Sequence, residues 1–317
     1  MTIPRTVGWG IVLATVTAVV SGISVFANGL IVREFADPVV LTGARNALVG
    51  AILLAVLLAT GGSREVLALT GRRSAALLAV ALIGGSVPFI LFFTGLAAAD
   101  GPGAAFIHKT LFVWVSLLAV PALGERLGGP QLAALGVLAA GTLLVGPTGP
   151  VVPGPAELLI LAATMFWAVE VVLVRALLSR TGVSVRLATT ARMALGAILI
   201  LGYLAIDGRL GGLFALDARQ WILIAATGGL LLLYVTTWYG ALQRAPAALV
   251  SSVLVGGAVI TAGLAVIRTG SIPAPATEFG LVLIMVGTAL AIGAWRRPSL
   301  TPSPASVAAA PPVPLER

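Results

Sequence analysis

Ten apolar segments of membrane-spanning length recur along the chain, and they constrain its fold more than any other feature. The hydrocarbon core of a bilayer is about 30 Å thick and is crossed by about 20 residues of α-helix. Only 9% of the residues are charged, whereas soluble domains carry about 25%, so a soluble fold would lack the polar side chains needed to cover its surface. The sequence therefore predicts an all-α membrane protein with ten transmembrane helices at 8–30, 38–60, 75–99, 103–123, 129–146, 156–178, 185–206, 220–241, 246–267 and 277–294.

Changes in this pattern mark the predicted domain boundaries. The first apolar segment is long enough to span a membrane and is predicted as a helix rather than as a cleavable signal peptide. Residues 147–155 are rich in Pro and Gly and are predicted as a linker between one half at 1–146 and another at 156–295. Residues 296–317, with many Pro and Ala, are predicted as a disordered tail.

Arginines cluster in alternate loops, which predicts the orientation. They punctuate apolar segments instead of forming one polar face, so nucleic acid is not an expected partner despite the net charge of +8. Short loops rich in arginine tend to stay in the cytoplasm, and both termini are therefore predicted to be cytoplasmic. On that side would lie Arg5, Arg64, Arg72, Arg73, Arg126, Arg180, Arg186, Arg244, Arg296 and Arg297, and on the other Arg33, Arg209, Arg219 and Arg268.

The two halves of the chain resemble each other at an offset of about 146 residues. Residues 44–48, Ala-Arg-Asn-Ala-Leu, match residues 191–195, Ala-Arg-Met-Ala-Leu, and Gly-Thr recurs at 141–142 and 287–288. Because each half contains five helices, an odd number, the second half must enter the membrane in the opposite sense. The sequence therefore predicts two inverted five-helix repeats, an arrangement that lets one central site face each side of the membrane in turn.

A set of residues near the end of the first half carries a family resemblance. Gly95-Leu96 and Ala104-Ala105 precede Leu123-Gly124-Glu125-Arg126-Leu127, and Gln131-Leu132, Gly136 and Gly141 follow. In order and spacing this set resembles the drug/metabolite transporter superfamily, in particular its EamA-type ten-helix transporters. The resemblance implies two EamA-type repeats and secondary transport of a small organic metabolite across the plasma membrane, in bacteria the inner membrane. It further implies amino acids or related carboxylates as substrates and export as the direction.

Helix four departs from the family pattern by carrying His108 and Lys109, the only histidine and the only lysine of the chain. A charge inside a span is costly unless it reaches water or a partner, so the Lys109 ammonium is a candidate for binding a substrate carboxylate. Snorkelling and a structural ion pair are the alternatives. His108 is a candidate acceptor of a coupling proton, although a hydrogen-bonded packing role is favoured. Neighbouring side chains on a helix point roughly 100° apart, so the two are not expected to face one cavity centre.

Three further charged residues well inside predicted spans are candidate site residues. Glu170, in the sixth, is a candidate partner of Lys109 or a candidate proton carrier. Arg45 and Arg192 occupy equivalent places in the second and seventh spans, so the inversion would place one on each side of the central cavity. There the guanidinium fork would suit a carboxylate. Contacts with lipid headgroups or adjacent loops are the alternative for both arginines.

Aromatic residues fall into two groups. Trp9, Trp221 and Trp295 lie near predicted helix ends, where the indole ring suits the membrane interface. Trp167 and Tyr239 lie deeper and are candidates for lining an apolar part of a substrate site. Packing and lipid contact are the alternative for these two.

Composition also bears on other classes of protein. With no cysteine and one histidine, neither a thiolate nor a zinc centre is expected, and no cofactor is predicted. An intramembrane enzyme would need a nucleophile with its base, paired acids or metal ligands, and no such set is recognisable. A non-transporting receptor or assembly subunit would need more than the short tail. The leading prediction is a secondary transporter whose partners are a small-molecule substrate and the lipid bilayer, with proton coupling and oligomeric state left open.

Overall fold

The computed structural model of the chain describes residues 5–99, 106–146 and 154–296, and all regular structure in them is helical. Ten helices are apolar, and nine of these are long enough to cross a membrane; the remaining one, α5, has 17 residues. The predicted all-α membrane fold is thus confirmed. In chain order the helices are α1 Arg5–Ile31, α2 Pro38–Ala59, α3 Gly71–Ala98, α4 Phe106–Leu123, α5 Gly129–Val145, α6 Pro155–Arg180, α7 Val185–Ile206, α8 Ala218–Arg244, α9 Ala247–Thr269 and α10 Pro275–Arg296.

The predicted linker and tail fall largely outside the described residues, which omit 147–153 and 297–317. The predicted start of helix four at residue 103 also lies in an undescribed stretch, 100–105. The domain boundaries at these places therefore stay predictions.

Short polar side chains define where some helices begin. The Asp37 carboxylate accepts hydrogen bonds from the backbone N–H groups of Val39, at 2.8 Å, and Val40, and so caps α2. Asp217 and Gln220 form a reciprocal capping box at the start of α8. Such caps supply acceptors for the first N–H groups of a helix, which have none within the helix itself.

Two glycines end the fourth helix of each half in the same way. Gly124 follows α4 with φ 72°, and Gly270 follows α9 with φ 67°. A residue with a Cβ is strained in this left-handed conformation, which glycine adopts freely at helix ends. The shared backbone geometry agrees with the repeat.

Successive helices cross the membrane in alternating directions. We call the face where α1 begins and α10 ends the N-terminal face, and the other the opposite face. Arg186 pairs with Glu65 at the N-terminal face, and Arg209 with Asp37 at the opposite face. Since five helices precede α6, the second half starts from the opposite face, which is the inverted arrangement that the sequence predicts.

Helices α5 and α10 pack closely against each other through repeated glycines. A Cβ on Gly141 of α5 would lie 2.8 Å from the carbonyl oxygen of Gly280, and a Cβ on Gly287 of α10 would lie 2.8 Å from Leu138 Cγ. Small residues allow helix backbones to approach in a membrane, where no hydrophobic effect drives helices together. The Gly-Thr match between the two halves therefore lies at this contact.

Helices α3 and α7 each contain a π-helical turn, at Ala81–Ser86 and Ala191–Leu195. The two turns touch, because a Cβ on Gly85 would lie only 2.0 Å from the backbone oxygen of Arg192. Single π-helical turns occur frequently at functional sites. This contact joins the two halves where both helices depart from regular α-helix.

The outer surface of the bundle is apolar. Leu143, Ile198 and Ile222 are each exposed and belong to different helices. A surface of this kind suits hydrocarbon and not water. Trp9 and Trp221 are exposed near helix ends, as expected for residues at the membrane interface.

Candidate substrate site

A cavity of about 600 Å³ extends into the bundle from the opposite face. All the long helices except α5 and α10 contribute to its lining. Exposed Gly29 and Arg268 lie at its outer end, whereas Glu170 and Trp238 line it near the middle of the bundle. Sites for small molecules commonly have volumes of about 300–1,000 Å³, so a metabolite of moderate size fits this space.

A backbone carbonyl released by proline organises the inner wall. Pro88 in α3 has no N–H group, so the carbonyl of Gly84 lacks the donor that a regular helix would supply four residues later. Leaving such a group unpaired within a membrane is costly. Trp167 Nε1 and Arg192 Nε donate to this oxygen instead, at 3.1 and 3.2 Å. The carbonyl in the first half thereby holds two side chains of the second half.

Glu170 and Arg192 form a buried ion pair beside this carbonyl. The Arg192 Nε lies 3.8 Å from the Glu170 carboxylate, to which the Tyr239 hydroxyl also donates. Glu170 is 1% exposed and Arg192 4%. Charges so deeply buried require a partner. The structure joins Glu170 to Arg192 rather than to Lys109, the partner considered from the sequence.

Arg45 approaches the same aromatic ring as Arg192 but makes different contacts. The two guanidinium carbons lie 5.9 and 5.8 Å from the centre of the Phe89 ring. Arg45 also stacks over Phe93 at 4.6 Å and donates from Nη1 to Asn28 Oδ1 at 3.0 Å. Its Nε is buried without a hydrogen-bond acceptor, and no carboxylate among the described residues is within 4.0 Å of it. Arg45 thus brings an uncompensated positive charge to the cavity.

His108 and Lys109 both line the cavity. The cavity is wide enough to reach both side chains on the first turn of α4, although neighbouring side chains point in different directions. The His108 ring packs between Phe92 and Trp167, with ring centres 5.1 and 5.2 Å away. Lys109 has no carboxylate partner among the described residues, so it adds a second uncompensated cation.

Aromatic rings form a continuous wall along one side of the cavity. Phe89 meets Trp167 edge to face at 5.4 Å, and Phe92 lies 5.4 Å from both Trp167 and Phe93. Edge-to-face pairs of this kind stabilise one another beyond simple burial. The wall offers a flat apolar surface next to the cations.

Several of these residues were not predicted from the sequence. The three phenylalanines follow Pro88 within five positions, and this local cluster is the signal that could have found them. Tyr239 does not itself line the cavity and acts on it through Glu170, whereas its neighbours Tyr234 and Trp238 line it, with ring centres 6.0 Å apart.

Inverted five-helix repeats that enclose one cavity are an architecture of membrane transporters. The chain belongs to the EamA-like transporter family, whose model matches residues 8–146 and again residues 154–293. A solved structure described only as the crystal structure of a protein has a similar fold, with TM-score 0.69 and 20% identity over 93% of this chain and 100% of the other. No curated protein matches the sequence. The protein is therefore a multi-pass membrane transporter of the drug/metabolite type.

Proposed function

We propose that this protein is a secondary transporter that carries a small organic carboxylate, an amino acid or a related compound, by alternating access. The observation that carries the proposal is the charge of the cavity. Arg192 is balanced by Glu170, but Arg45, Lys109 and Arg268 line the same space without a carboxylate partner among the described residues. Guanidinium and ammonium groups bind carboxylates through charge-assisted hydrogen bonds.

We infer that the protein lies in the plasma membrane, in bacteria the inner membrane, and the arginine distribution supports an orientation with the N-terminal face in the cytoplasm. In that orientation the cavity faces the outside of the cell. Export then requires the same cavity to open to the cytoplasm, load substrate there and return to the state described here. Inverted repeats support such an exchange because each half can adopt the conformation of the other.

Contacts at the N-terminal face would have to separate for the cavity to open there. The Glu125 carboxylate accepts hydrogen bonds from the backbone N–H groups of Ala247 and Ala248, at 2.6 and 3.1 Å. These are first-turn groups of α9, which lack acceptors within the helix and favour a negative charge. Arg175 of α6 donates to the carbonyl of Leu242 near the end of α8, at 2.7 Å. The connection between α8 and α9 is thus held from both sides.

Replacing Glu125 with alanine is expected to increase the time that the N-terminal face spends open. A cap of this kind contributes about 1 kcal/mol, which corresponds to about a fivefold change in an equilibrium constant. The chain contains no cysteine, so Ser252→Cys, at a fully buried position of α9, can report opening through its rate of maleimide labelling from the N-terminal face. Arg126→Ala changes an exposed neighbour and should leave that rate unchanged; equal rates in both backgrounds would remove Glu125 from the gate.

Counterflow in proteoliposomes tests the transport proposal directly. Proteoliposomes that contain the purified protein are loaded with a panel of amino acids, organic acids, amines and sugars. The pH is varied to detect proton coupling. We expect exchange of carboxylates, and we expect Lys109→Ala and Arg45→Ala each to weaken it by about tenfold, because a hydrogen bond to a charged group contributes about 1.5–3 kcal/mol. Arg72→Ala removes an exposed cation near the N-terminal face and serves as the control. A preference for neutral or cationic solutes would defeat the carboxylate proposal.

A further inference from the structure

The carboxylate that lines the cavity, that of Glu170, already has partners within the protein. Glu170 is the only carboxylate that lines the cavity among the described residues. Its carboxylate receives the Tyr239 hydroxyl, and the Arg192 guanidinium lies at 3.8 Å. With 1% of its surface exposed, it has little room for another donor. A substrate ammonium would have to break this pair to reach it.

The cations of the cavity lie in different parts of its wall. Arg268 is exposed at the outer end, Lys109 projects from the first turn of α4, and Arg45 is 2% exposed in α2. The unpartnered Nε of Arg45 is a buried donor without an acceptor, and such donors are rare in folded proteins because each costs free energy. A substrate that supplied an anionic oxygen would satisfy this donor and lower the positive charge at once.

The aromatic wall lies beside these cations. Arg45 stacks on Phe93 at 4.6 Å, and Phe93 continues through Phe92 to Trp167 at ring-centre distances of 5.4 Å each. Between the polar side chains, most of the cavity lining is apolar or aromatic. An apolar, flat substrate body could lie against these rings while its charged end reached a cation.

We propose that the substrate is an aromatic or similarly apolar organic anion that has no ammonium group. This inference rests on the proposed function and selects among the carboxylates that it allows. An amino acid would place its ammonium among uncompensated cations, and like charges in one desolvated site oppose binding strongly. An acid of the same shape without the ammonium meets no such opposition.

Three compounds that share a phenyl ring and the two carbons next to it test the inference. They are 3-phenylpropanoate, which has only the carboxylate, phenylalanine, which has both groups, and phenethylamine, which has only the ammonium. We measure counterflow in proteoliposomes and thermal stabilisation of the purified full chain by each compound. We expect 3-phenylpropanoate to be preferred over phenylalanine by at least about tenfold, and phenethylamine to have no effect.

Variants then connect the preference to the cavity charge. Lys109→Gln should reduce the preference for 3-phenylpropanoate over phenylalanine several-fold, whereas Arg72→Gln, outside the cavity, should preserve it. Asp100 lies outside the described residues, and Asp100→Asn should also preserve the preference. A changed preference in Asp100→Asn would overturn the charge argument, because it would show that a further acid acts on the site.

The two proposals fail in different ways. Equal exchange of phenylalanine and 3-phenylpropanoate would overturn the inference while leaving carboxylate transport intact. The inference would also be overturned if none of the three compounds bound or exchanged. The wider panel would then decide whether another carboxylate is carried. Exchange of amines or sugars alone would overturn both.

Discussion

Replacing Glu170 with alanine is expected to lower the free energy of unfolding by about 3–5 kcal/mol, the usual cost of removing one partner from a buried ion pair. The change leaves the Arg192 guanidinium, 4% exposed, without its carboxylate, and it leaves the Tyr239 hydroxyl without its acceptor. Arg192 already has an unpartnered buried Nη1, so the local structure has no spare acceptor to offer. The measurement is the thermal unfolding of the purified protein in detergent. The monodispersity of each variant is measured as well.

A double variant separates the lost pair from the lost side-chain volume. Glu170→Leu with Arg192→Leu removes both charges and should be more stable than either single variant, because no uncompensated charge remains. Tyr239→Phe removes one hydrogen bond and should cost less than Glu170→Ala. If the single Glu170 variant unfolded at the same temperature as the wild type, Arg192 would have to find another partner, and the pair would not stabilise the site.

Replacing Gly85 with alanine is expected to have the second largest effect. A Cβ there would lie 2.0 Å from the backbone oxygen of Arg192 and 3.2 Å from the Cα of Gly196. Neither contact involves a flexible side chain, so α3 and α7 must separate to accommodate the methyl group. Overpacking of this kind costs about 1–3 kcal/mol or more. Thermal unfolding measures the stability, and counterflow measures whether the displaced Arg192 still supports transport.

The Gly-Gly pair at 228–229, in the equivalent helix of the second half, provides the control. Gly229 in α8 has no atom within 4 Å of the place where its Cβ would lie. Gly229→Ala should therefore be neutral or stabilising, since alanine favours helix more than glycine does. Equal destabilisation by the two substitutions would mean that the close contact between α3 and α7 does not limit stability. The sequence shows the same Gly-Gly pair in both places, and only the packing distinguishes them.

Much of the fold followed from local features of the sequence. A span is determined by its own length and hydropathy, because the bilayer acts on each segment separately. The inversion followed from counting helices in one repeat, and the matching arginines, Arg45 and Arg192, do line one cavity. Helix starts marked by proline agree closely with the predicted spans: α2 begins at Pro38, as predicted, and α6 begins at Pro155, one residue before its predicted start.

The partners of the buried charges could not be predicted in the same way. Glu170 had Lys109 as a candidate partner, but it meets Arg192 and Tyr239 instead. Which side chains meet depends on how each helix is rotated and how closely the helices approach, and a pattern within one helix carries no information about either. For the same reason the role of the phenylalanines in α3 could not be predicted, because it depends on how α6 packs against them.

The sequence by itself therefore determined a membrane protein of ten helices in two inverted halves, because hydrophobic length and odd helix number are properties of the chain alone. Only the tertiary structure decided how its few buried charges are used. Pro88 releases the carbonyl of Gly84, and the close approach of α3 and α7 at Gly85 brings Arg192 to it. With Arg192 committed there and to Glu170, the uncompensated cations that line the cavity among the described residues are Arg45, Lys109 and Arg268.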